Sequence, residues 1–131
     1  MVVLDSDILI GFLRNDTNAL KTMEDLEKNG EKLNTTVINA FEIFEGAVLS
    51  SEGKKIKQVE DLLRSLVGCY NFNGPASWKA AEISADLKKK GKVLDFQDIC
   101  IASISIINNE KLITRNIKHF SRIKGLKIEK W

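Results

Sequence analysis

Apolar and polar residues follow two repeating patterns along the chain. Short apolar runs, typical of buried strands, predict strands at residues 2–4, 32–36, 67–72, 111–114 and 126–129. Longer stretches with apolar residues three and four positions apart predict helices at residues 8–13, 19–28, 37–49, 56–66, 78–87 and 99–107. Thr35 or Thr36 is available to cap the helix that follows it.

The isoleucine-rich segment at residues 99–107 could form a strand or a helix by composition alone. Asp98 is available as a starting cap, and the small residues Ala102, Ser103 and Ser105 favour a helix over a strand. We therefore expect a buried helix here.

Strands that alternate with helices predict an α/β fold with a mostly parallel central sheet of about four to five strands flanked by helices. Pro75 is the only proline and no Gly/Ser-rich linker interrupts the chain, so we expect residues 1–131 to form a single domain. In such sheets functional sites lie at the carboxyl ends of the strands. This places Asp5 and residues 114–116 at the same edge.

Composition excludes several classes of protein. The apolar content of 44% is enough for a hydrophobic core, and no apolar run approaches the roughly 20 residues that span a bilayer. Asp5 interrupts the stretch where a signal peptide would stay apolar. These features predict a cytoplasmic protein without a membrane segment. Cys69 and Cys100 lack metal-ligand spacing and are expected to be buried free thiols.

Positive charge is concentrated in two segments, although the net charge is only +2. One is the run at residues 88–92, and the other covers residues 111–131, where Glu129 is the only acid. Such segments either form a solvated face or offer a phosphate backbone a local track. The run at 88–92 alone favours a solvated face, and the phosphate track gains weight only beside an acidic, metal-binding pocket.

Three acids occupy positions that a soluble domain normally keeps uncharged. Asp5 follows a strand predicted to be buried, Glu42 lies in a mostly apolar helix, and Asp98 opens the isoleucine-rich segment. A buried carboxylate is costly unless it is paired or binds a metal, and few cations lie close to these positions in the sequence. Oxygen ligands that converge from separate elements suit Mg²⁺ or Mn²⁺.

Each of these acids also has a structural explanation. Asp5 or Asp98 could cap the helix that follows it, and Glu42 could pair with a lysine at the surface. The three explanations are independent of one another, whereas one metal site accounts for all three acids together. The combination therefore favours a metal site in which Asp5, Glu42 and Asp98 are the ligands.

Four segments carry a family resemblance across the whole chain. They are Asp5 after an apolar strand, Glu42-Ile43-Phe44-Glu45-Gly46, Asp98-Ile99-Cys100-Ile101-Ala102-Ser103 and Thr114-Arg115-Asn116-Ile117-Lys118-His119-Phe120. In this order and spacing the chain resembles PIN domains and, more narrowly, VapC-type toxins of prokaryotic toxin–antitoxin pairs. The resemblance implies a PIN-like three-layer fold and a nuclease that hydrolyses single-stranded or loop RNA with Mg²⁺ or Mn²⁺.

The resemblance also implies roles for individual residues. The family's first three acids correspond to Asp5, Glu42 and Asp98, and its fourth position corresponds to Asn116, which is Asp in many members. Because Asn116 brings no charge, the site is expected to hold one metal firmly and a second only when substrate phosphate helps. Thr114 resembles the family's site hydroxyl.

Further residues are assigned supporting or RNA-binding roles. Ser6 lies beside Asp5 and is expected to support it. Asp95 could lie one helical turn from Asp98 as a secondary ligand, or it could be a surface acid. The residues expected to carry the RNA backbone past the acidic pocket are Arg115, Lys118 and Arg122.

Three neighbouring ionisable residues are assigned roles outside the metal site. Asp7 is interpreted as a first-turn acid that complements the helix dipole. Glu45 lies one turn from Glu42, but the family's glycine spacing favours Glu42 as the ligand. His119 is expected to be structural or to face RNA rather than to act as a general base.

The resemblance implies protein partners as well. A small antitoxin is expected to wrap the toxin and block its pocket, and homodimerisation is expected through apolar helix surface in the first half of the chain. Three alternatives stay open: a housekeeping RNA-processing enzyme, a PIN-like module that only binds RNA, and a structure-specific DNA nuclease. The last is disfavoured because large inserted loops are missing at this length, and the retained acids disfavour a binding-only module.

Overall fold

The structure is a computed structural model that describes every residue from Met1 to Trp131. Five strands are present, namely β1 (Val2–Leu4), β2 (Leu33–Thr36), β3 (Gly68–Tyr70), β4 (Lys111–Ile113) and β5 (Ile128–Glu129). The helices are α1 (Ser6–Leu13), α2 (Thr17–Lys28), α3 (Val37–Leu49), α4 (Gly53–Ser65), α5 (Gly74–Lys89), α6 (Phe96–Ile107) and α7 (Ile117–Phe120). At least one helix separates every pair of consecutive strands, which confirms the predicted α/β class.

The strands form one parallel sheet in the order β3-β2-β1-β4-β5. β1 lies in the centre, where Val2 pairs with Leu33 of β2 and Leu4 pairs with Ile113 of β4. Because all strands run in the same direction, the residues that follow β1, β2 and β4 emerge at the same edge of the sheet. The predicted functional edge is therefore built from three adjacent strand ends.

Two hydrophobic cores cover the two faces of the sheet and make the fold three-layered. Side chains of a strand alternate between faces, and those of β1 do so. Val2 and Leu4 join a core with residues of α1–α4, whereas Val3 joins a core with residues of α5–α7. All three side chains are at least 99% buried, as expected for a central parallel strand.

The first turns of two helices differ from the sequence prediction. The helix predicted at residues 78–87 begins earlier, at Gly74, where Asn73 caps α5 by accepting a hydrogen bond from the Ala76 amide at 3.0 Å. Proline is tolerated there because first-turn amides have no partner within the helix. The cap position of α6 is Asp95, so the alternative of Asp98 as a cap is wrong. Asp98 lies inside the first turn.

Two expectations from composition have different outcomes. Cys100 is a buried free thiol as expected, and burial raises its pKa. Cys69 is exposed, against expectation, because β3 is an edge strand whose side chains are only partly covered. No helix combines the length and the apolar character that crossing a membrane requires.

Candidate active site

Asp5 lies at the end of β1, and three separate segments bind its carboxylate. Oδ1 accepts hydrogen bonds from the Ser6 amide at 2.8 Å and from Asn39 Nδ2 at 3.0 Å, and Oδ2 lies 2.6 Å from the donating Thr114 hydroxyl. The side chain is therefore the N-cap of α1 and the centre of a buried network at once. The two roles that the sequence suggested for Asp5, helix cap and metal ligand, are therefore compatible.

The surroundings of Asp5 favour its neutral form. The residue is only 7% exposed, and no ion pair of the structure includes it. Burial raises the pKa of Asp5 to about 7, and repulsion from Asp7 adds to this rise, while the hydrogen bond from Thr114 opposes it. A carboxylate held this way gains from a bound cation once it ionises.

Glu42 is linked to Asp5 through two polar side chains. The Ser6 hydroxyl donates to Glu42 Oε2, and Asn39 Nδ2 lies 2.9 Å from the Ser6 oxygen as well as bonding Asp5. Asn39 and Glu42 stand three residues apart on α3, so they share one face of that helix. Glu42 forms no ion pair with a lysine, which removes the surface-pair explanation.

Asp98 lies in the first turn of α6 and faces His119. Its Oδ2 is 3.4 Å from His119 Nδ1, which in turn is 3.0 Å from Asn116 Nδ2. Partial burial raises the pKa of Asp98, and the histidine opposes this rise. Partial burial likewise raises the pKa of Glu42, and repulsion from Asp98 contributes, so these two carboxylates lie within electrostatic reach of each other.

A continuous polar network joins the separate segments of the site. The Asn116 amide donates to the Thr114 hydroxyl oxygen at 3.0 Å, and that hydroxyl reaches Asp5. The network thus runs from Asp98 through His119, Asn116 and Thr114 to Asp5, and onward through Asn39 and Ser6 to Glu42. The structure brings together residues of α1, α3, α6 and the β4–α7 junction. All of them lie at the edge where the central strands end.

Comparison with known proteins agrees with this geometry. The family model described as PIN domain matches residues 2–126. The chain belongs to the PIN-domain family. This confirms the resemblance that the four sequence segments carry.

Curated relatives of this PIN domain bear the name ribonuclease VapC. Ribonuclease VapC2 of Rickettsia felis is 29% identical and covers 98% of this chain and 96% of its own. Ribonuclease VapC1 of Methanocaldococcus jannaschii is 32% identical and covers 97% of this chain and 85% of its own. A crystal structure of VapBC2 from Rickettsia felis bound to a promoter DNA fragment superimposes with a TM-score of 0.89 at 26% identity, covering 100% of this chain and 99% of that one.

The donor set of this PIN domain fits a hard divalent cation. Asp5, Glu42, Asp98 and the amide of Asn116 offer only oxygen ligands of the kind that Mg²⁺ and Mn²⁺ prefer, with no thiolate among them. In this structure Glu42 is turned to Ser6 and Asp98 to His119, and no three acidic, histidine or cysteine side chains gather around one point.

Two of the other predicted residues lie apart from the network. Asp95 is exposed, and its side chain makes no cap hydrogen bond, although its charge contributes to the raised pKa of Asp98. Arg122 donates to the Val93 carbonyl at 3.5 Å and so contacts the loop before α6.

The remaining predicted cations differ in their surroundings. Lys118 is exposed on α7. Arg115 lies against the ring of Trp131, with its guanidinium carbon 3.5 Å from the ring centroid.

Sequence reasoning missed three residues that the structure places in or beside the site. Asn39 is fully buried, and a polar amide inside the apolar helix α3 was a signal that could have found it. Asp7 does lie in the first turn of α1, but its carboxylate accepts hydrogen bonds from the Arg115 amide and from Trp131 Nε1. Nothing local in the sequence points to Trp131.

Proposed function

We propose that this PIN-domain protein is a Mg²⁺- or Mn²⁺-dependent endoribonuclease, the toxin of a cytoplasmic toxin–antitoxin pair. The observation that carries the proposal is the buried Asp5 carboxylate, which is linked to Glu42 without any compensating cation, at the carboxyl edge of a VapC-like fold. Carboxylates are retained in such surroundings when they hold a metal. The similarity to proteins named ribonuclease VapC supports RNA as the substrate.

In this proposal Asp5, Glu42 and Asp98 hold the ion, and Asn116 contributes a neutral oxygen. A divalent cation bound there supplies Lewis-acid stabilisation of a phosphoryl oxygen and a lowered pKa for a bound water. The network fixes Asp5 from three sides, so its oxygens need little reorganisation. Glu42 and Asp98 are each engaged through one oxygen, Oε2 with Ser6 and Oδ2 with His119, and would offer the other oxygen to the ion.

The remaining side chains position the site and the substrate. The hydroxyls of Thr114 and Ser6 orient the carboxylates of Asp5 and Glu42. We assign contacts with the RNA backbone to Arg115, Lys118 and Arg122, which follow the site along the chain. We assign His119 a structural role, in which its Nδ1 faces Asp98 and Asn116.

Cleavage of single-stranded RNA with and without metal tests the proposal. The Asp5→Asn variant should retain its fold, because Asn keeps an oxygen for the Ser6 or Thr114 donor, and should lose Mn²⁺-dependent cleavage by more than about 100-fold. Loss of a group that merely orients a ligand costs about 10- to 100-fold. Glu45→Gln is the matched control, since Glu45 is exposed on the same helix as Glu42. Full activity of Asp5→Asn would contradict the assignment.

The alternative functions predict other results in the same assay. A structure-specific DNA nuclease would cleave DNA in preference to RNA of the same sequence. A module that only binds RNA would show no turnover at any Mn²⁺ concentration. The toxin role predicts growth arrest on expression, relieved by co-expression of a small protein from the adjoining gene, whereas a housekeeping RNase would need no such partner.

We also propose that the protein forms a homodimer through the exposed apolar side chains of α3. Phe41, Val48 and Leu49 are 53%, 60% and 78% exposed. Phe41 and Val48 are seven residues apart, so they lie on the same side of the helix. Large apolar side chains exposed together on one helix are typical of contact sites between proteins.

A further inference from the structure

Arg115 is held in place by Asp7 and Trp131, two residues that are not among the proposed metal ligands. Its backbone amide donates to Asp7 Oδ2 at 2.7 Å, and its guanidinium carbon lies 3.5 Å from the centre of the Trp131 ring. The indole Nε1 of Trp131 donates to Asp7 Oδ1 at 2.7 Å. Asp7, Trp131 and Arg115 thus contact one another, and we call this set the arginine clamp. Asp7 Oδ2 also lies 3.2 Å from the donating Thr114 hydroxyl, which joins the clamp to the hydrogen-bond network of Asp5.

The indole of the clamp is itself held firmly. Trp131 is only 9% exposed, and its ring packs against α1, where a Cβ added at Gly11 would lie 3.0 Å from Trp131 Cη2. The absence of a side chain at Gly11 therefore leaves the space that the ring needs. Arg115 therefore stacks on an indole ring that is buried and closely packed.

The donors of the Arg115 guanidinium are free in this structure. The residue is exposed, and none of the side-chain hydrogen bonds or ion pairs includes its guanidinium nitrogens. A guanidinium stacked on an aromatic face keeps the N–H groups of its edge available for two parallel hydrogen bonds to a phosphate. Its position is set by Thr114, the preceding residue, whose hydroxyl reaches Asp5 at 2.6 Å.

We propose that Trp131 and Asp7 are positioning residues that hold Arg115 as a pre-oriented binding group for an RNA backbone phosphate beside Asp5. This rests on the proposed ribonuclease function and assigns its substrate contact. Pre-orientation lowers the conformational entropy that Arg115 loses when it binds a phosphate. Lys118 lacks such support, so its contact with RNA is a matter of charge alone.

A double-mutant cycle on RNA binding tests the clamp. The dissociation constant of a fluorescent single-stranded RNA is measured in EDTA, so that cleavage does not interfere. Arg115→Gln should weaken binding. It should also make the slope of log K against log [salt] less steep by about 0.7, the value for one phosphate contact on a single strand. Trp131→Leu should weaken binding about fivefold, the scale of one cation–π contact, and have no further effect in the Arg115→Gln background.

Two matched variants separate positioning from general stability. Trp131→Phe keeps an aromatic face but loses the donor to Asp7, so it should weaken binding less than Trp131→Leu. Lys118→Gln should reduce the salt dependence as Arg115→Gln does, but its effect should add to that of Trp131→Leu. Urea unfolding confirms that each variant is folded under the assay conditions.

The outcomes are distinguishable. If Trp131→Leu weakens binding equally with Arg115 or with Gln at position 115, or leaves wild-type affinity unchanged, the clamp is wrong and the ribonuclease assignment stands. If the wild-type protein binds RNA but does not cleave it with Mn²⁺, the proposed enzyme function is wrong. The double-mutant cycle then still measures whether Trp131 acts on RNA binding through Arg115. A wild-type protein that binds no RNA in EDTA but cleaves it with Mn²⁺ would contradict the clamp and leave the enzyme function standing, and one that does neither would contradict both.

Discussion

Among the carboxyl groups of the site, that of Asp5 is the most buried, and it accepts hydrogen bonds from Ser6, Asn39 and Thr114. Three donors normally lower the pKa of a carboxyl group, yet burial and the charge of Asp7 outweigh them. The site is therefore strained electrostatically when it is ionised and metal-free. This has a measurable consequence for stability.

Metal-free protein should lose stability as the pH rises from about 4, just above the ordinary pKa of Asp5, to about 7, its pKa in the folded state. The folded state raises the pKa of Asp5 from its ordinary 3.8 to about 7, so it binds a proton more tightly than the unfolded chain does. That stabilisation is complete below the unfolded pKa and is lost as the pH rises through the folded pKa. In this window the free energy of unfolding should fall by up to about 1.4 kcal/mol per pH unit.

Urea unfolding in EDTA at several pH values measures this slope. Asp5→Asn removes the titrating group and should flatten the slope in the same window. Added Mn²⁺ should reverse the trend, because a bound cation favours the ionised carboxylate. A wild-type slope that persists in Asp5→Asn would assign the titration to Glu42 or Asp98, whose pKa values are raised in the same direction by burial.

Site residues that were found from the sequence stand out in their local sequence, whereas those that were missed make contacts with residues far away along the chain. Asp5, Glu42 and Asp98 stand out because each is an acid inside a local apolar pattern. The bond from Trp131 to Asp7 spans 124 positions, and that from Asn39 to Asp5 spans 34. No local pattern encodes such pairs, so these two contacts could only be read from the folded chain.

At the level of elements, the junction between β2 and α3 couples a helix cap to the site. Thr36 Oγ1 accepts the Asn39 amide at 3.2 Å and donates to Asn39 Oδ1 at 2.7 Å, which confirms the prediction that Thr35 or Thr36 caps α3. The second bond orients the Asn39 amide so that its Nδ2 faces Asp5 and Ser6. Thr36 therefore caps α3 and, through Asn39, also helps to position the carboxylate of Asp5.

Thr36→Val should affect both stability and catalysis. Loss of the cap should lower the free energy of unfolding by about 1 kcal/mol. Release of the Asn39 side chain should lower kcat for RNA cleavage by about tenfold. This is the lower end of the loss seen when a residue that hydrogen-bonds a metal ligand is removed. Asp16→Ala removes the comparable cap of α2 and should cost similar stability with no change in kcat. Equal kcat losses in the two variants would show that destabilisation alone explains the effect.

Helices and strands were predictable where their own side chains determine them. The bounds of α3 match the prediction, because an apolar stripe and a cap both mark them. The start of α5 was placed too late, because Gly74 and Pro75 favour turns as readily as the first turn of a helix. The short helix α7 was not predicted, because its four residues carry no periodic pattern and its start depends on contacts of Asn116.

In the whole molecule, the strand order brings segments that are far apart in the sequence together at one site. β1 lies between β2 and β4, so the segments after these three strands converge, and α6 adds Asp98 from the α5–α7 side of the sheet. The alternation of strands and helices predicted a parallel sheet but not which strand lies in the middle. The neighbours of β1 are set by packing of both faces, which involves residues far apart in the chain.

The proposed homodimer would cover one side of α3. The exposed side chains of Phe41, Val48 and Leu49 lie on the opposite side of α3 from its buried residues Ile43 and Ala47. Burial of such side chains removes apolar area from water at about 25 cal/mol per Å². Glu45 is exposed on the same side of α3, so a second negative charge there would add repulsion that opposes this burial.

The homodimer can therefore be tested by single substitutions at the end of α3. Val48→Asp and Leu49→Asp should each convert the proposed dimer to a monomer at micromolar concentration, as measured by sedimentation equilibrium, because an added carboxylate near Glu45 cannot be buried there without a partner. Val67→Asp is the matched control, since Val67 is 65% exposed beyond the far end of α4, and it should stay dimeric. A wild-type protein that sediments as a monomer, or a Val67→Asp variant that dissociates equally, would show that α3 is not the interface.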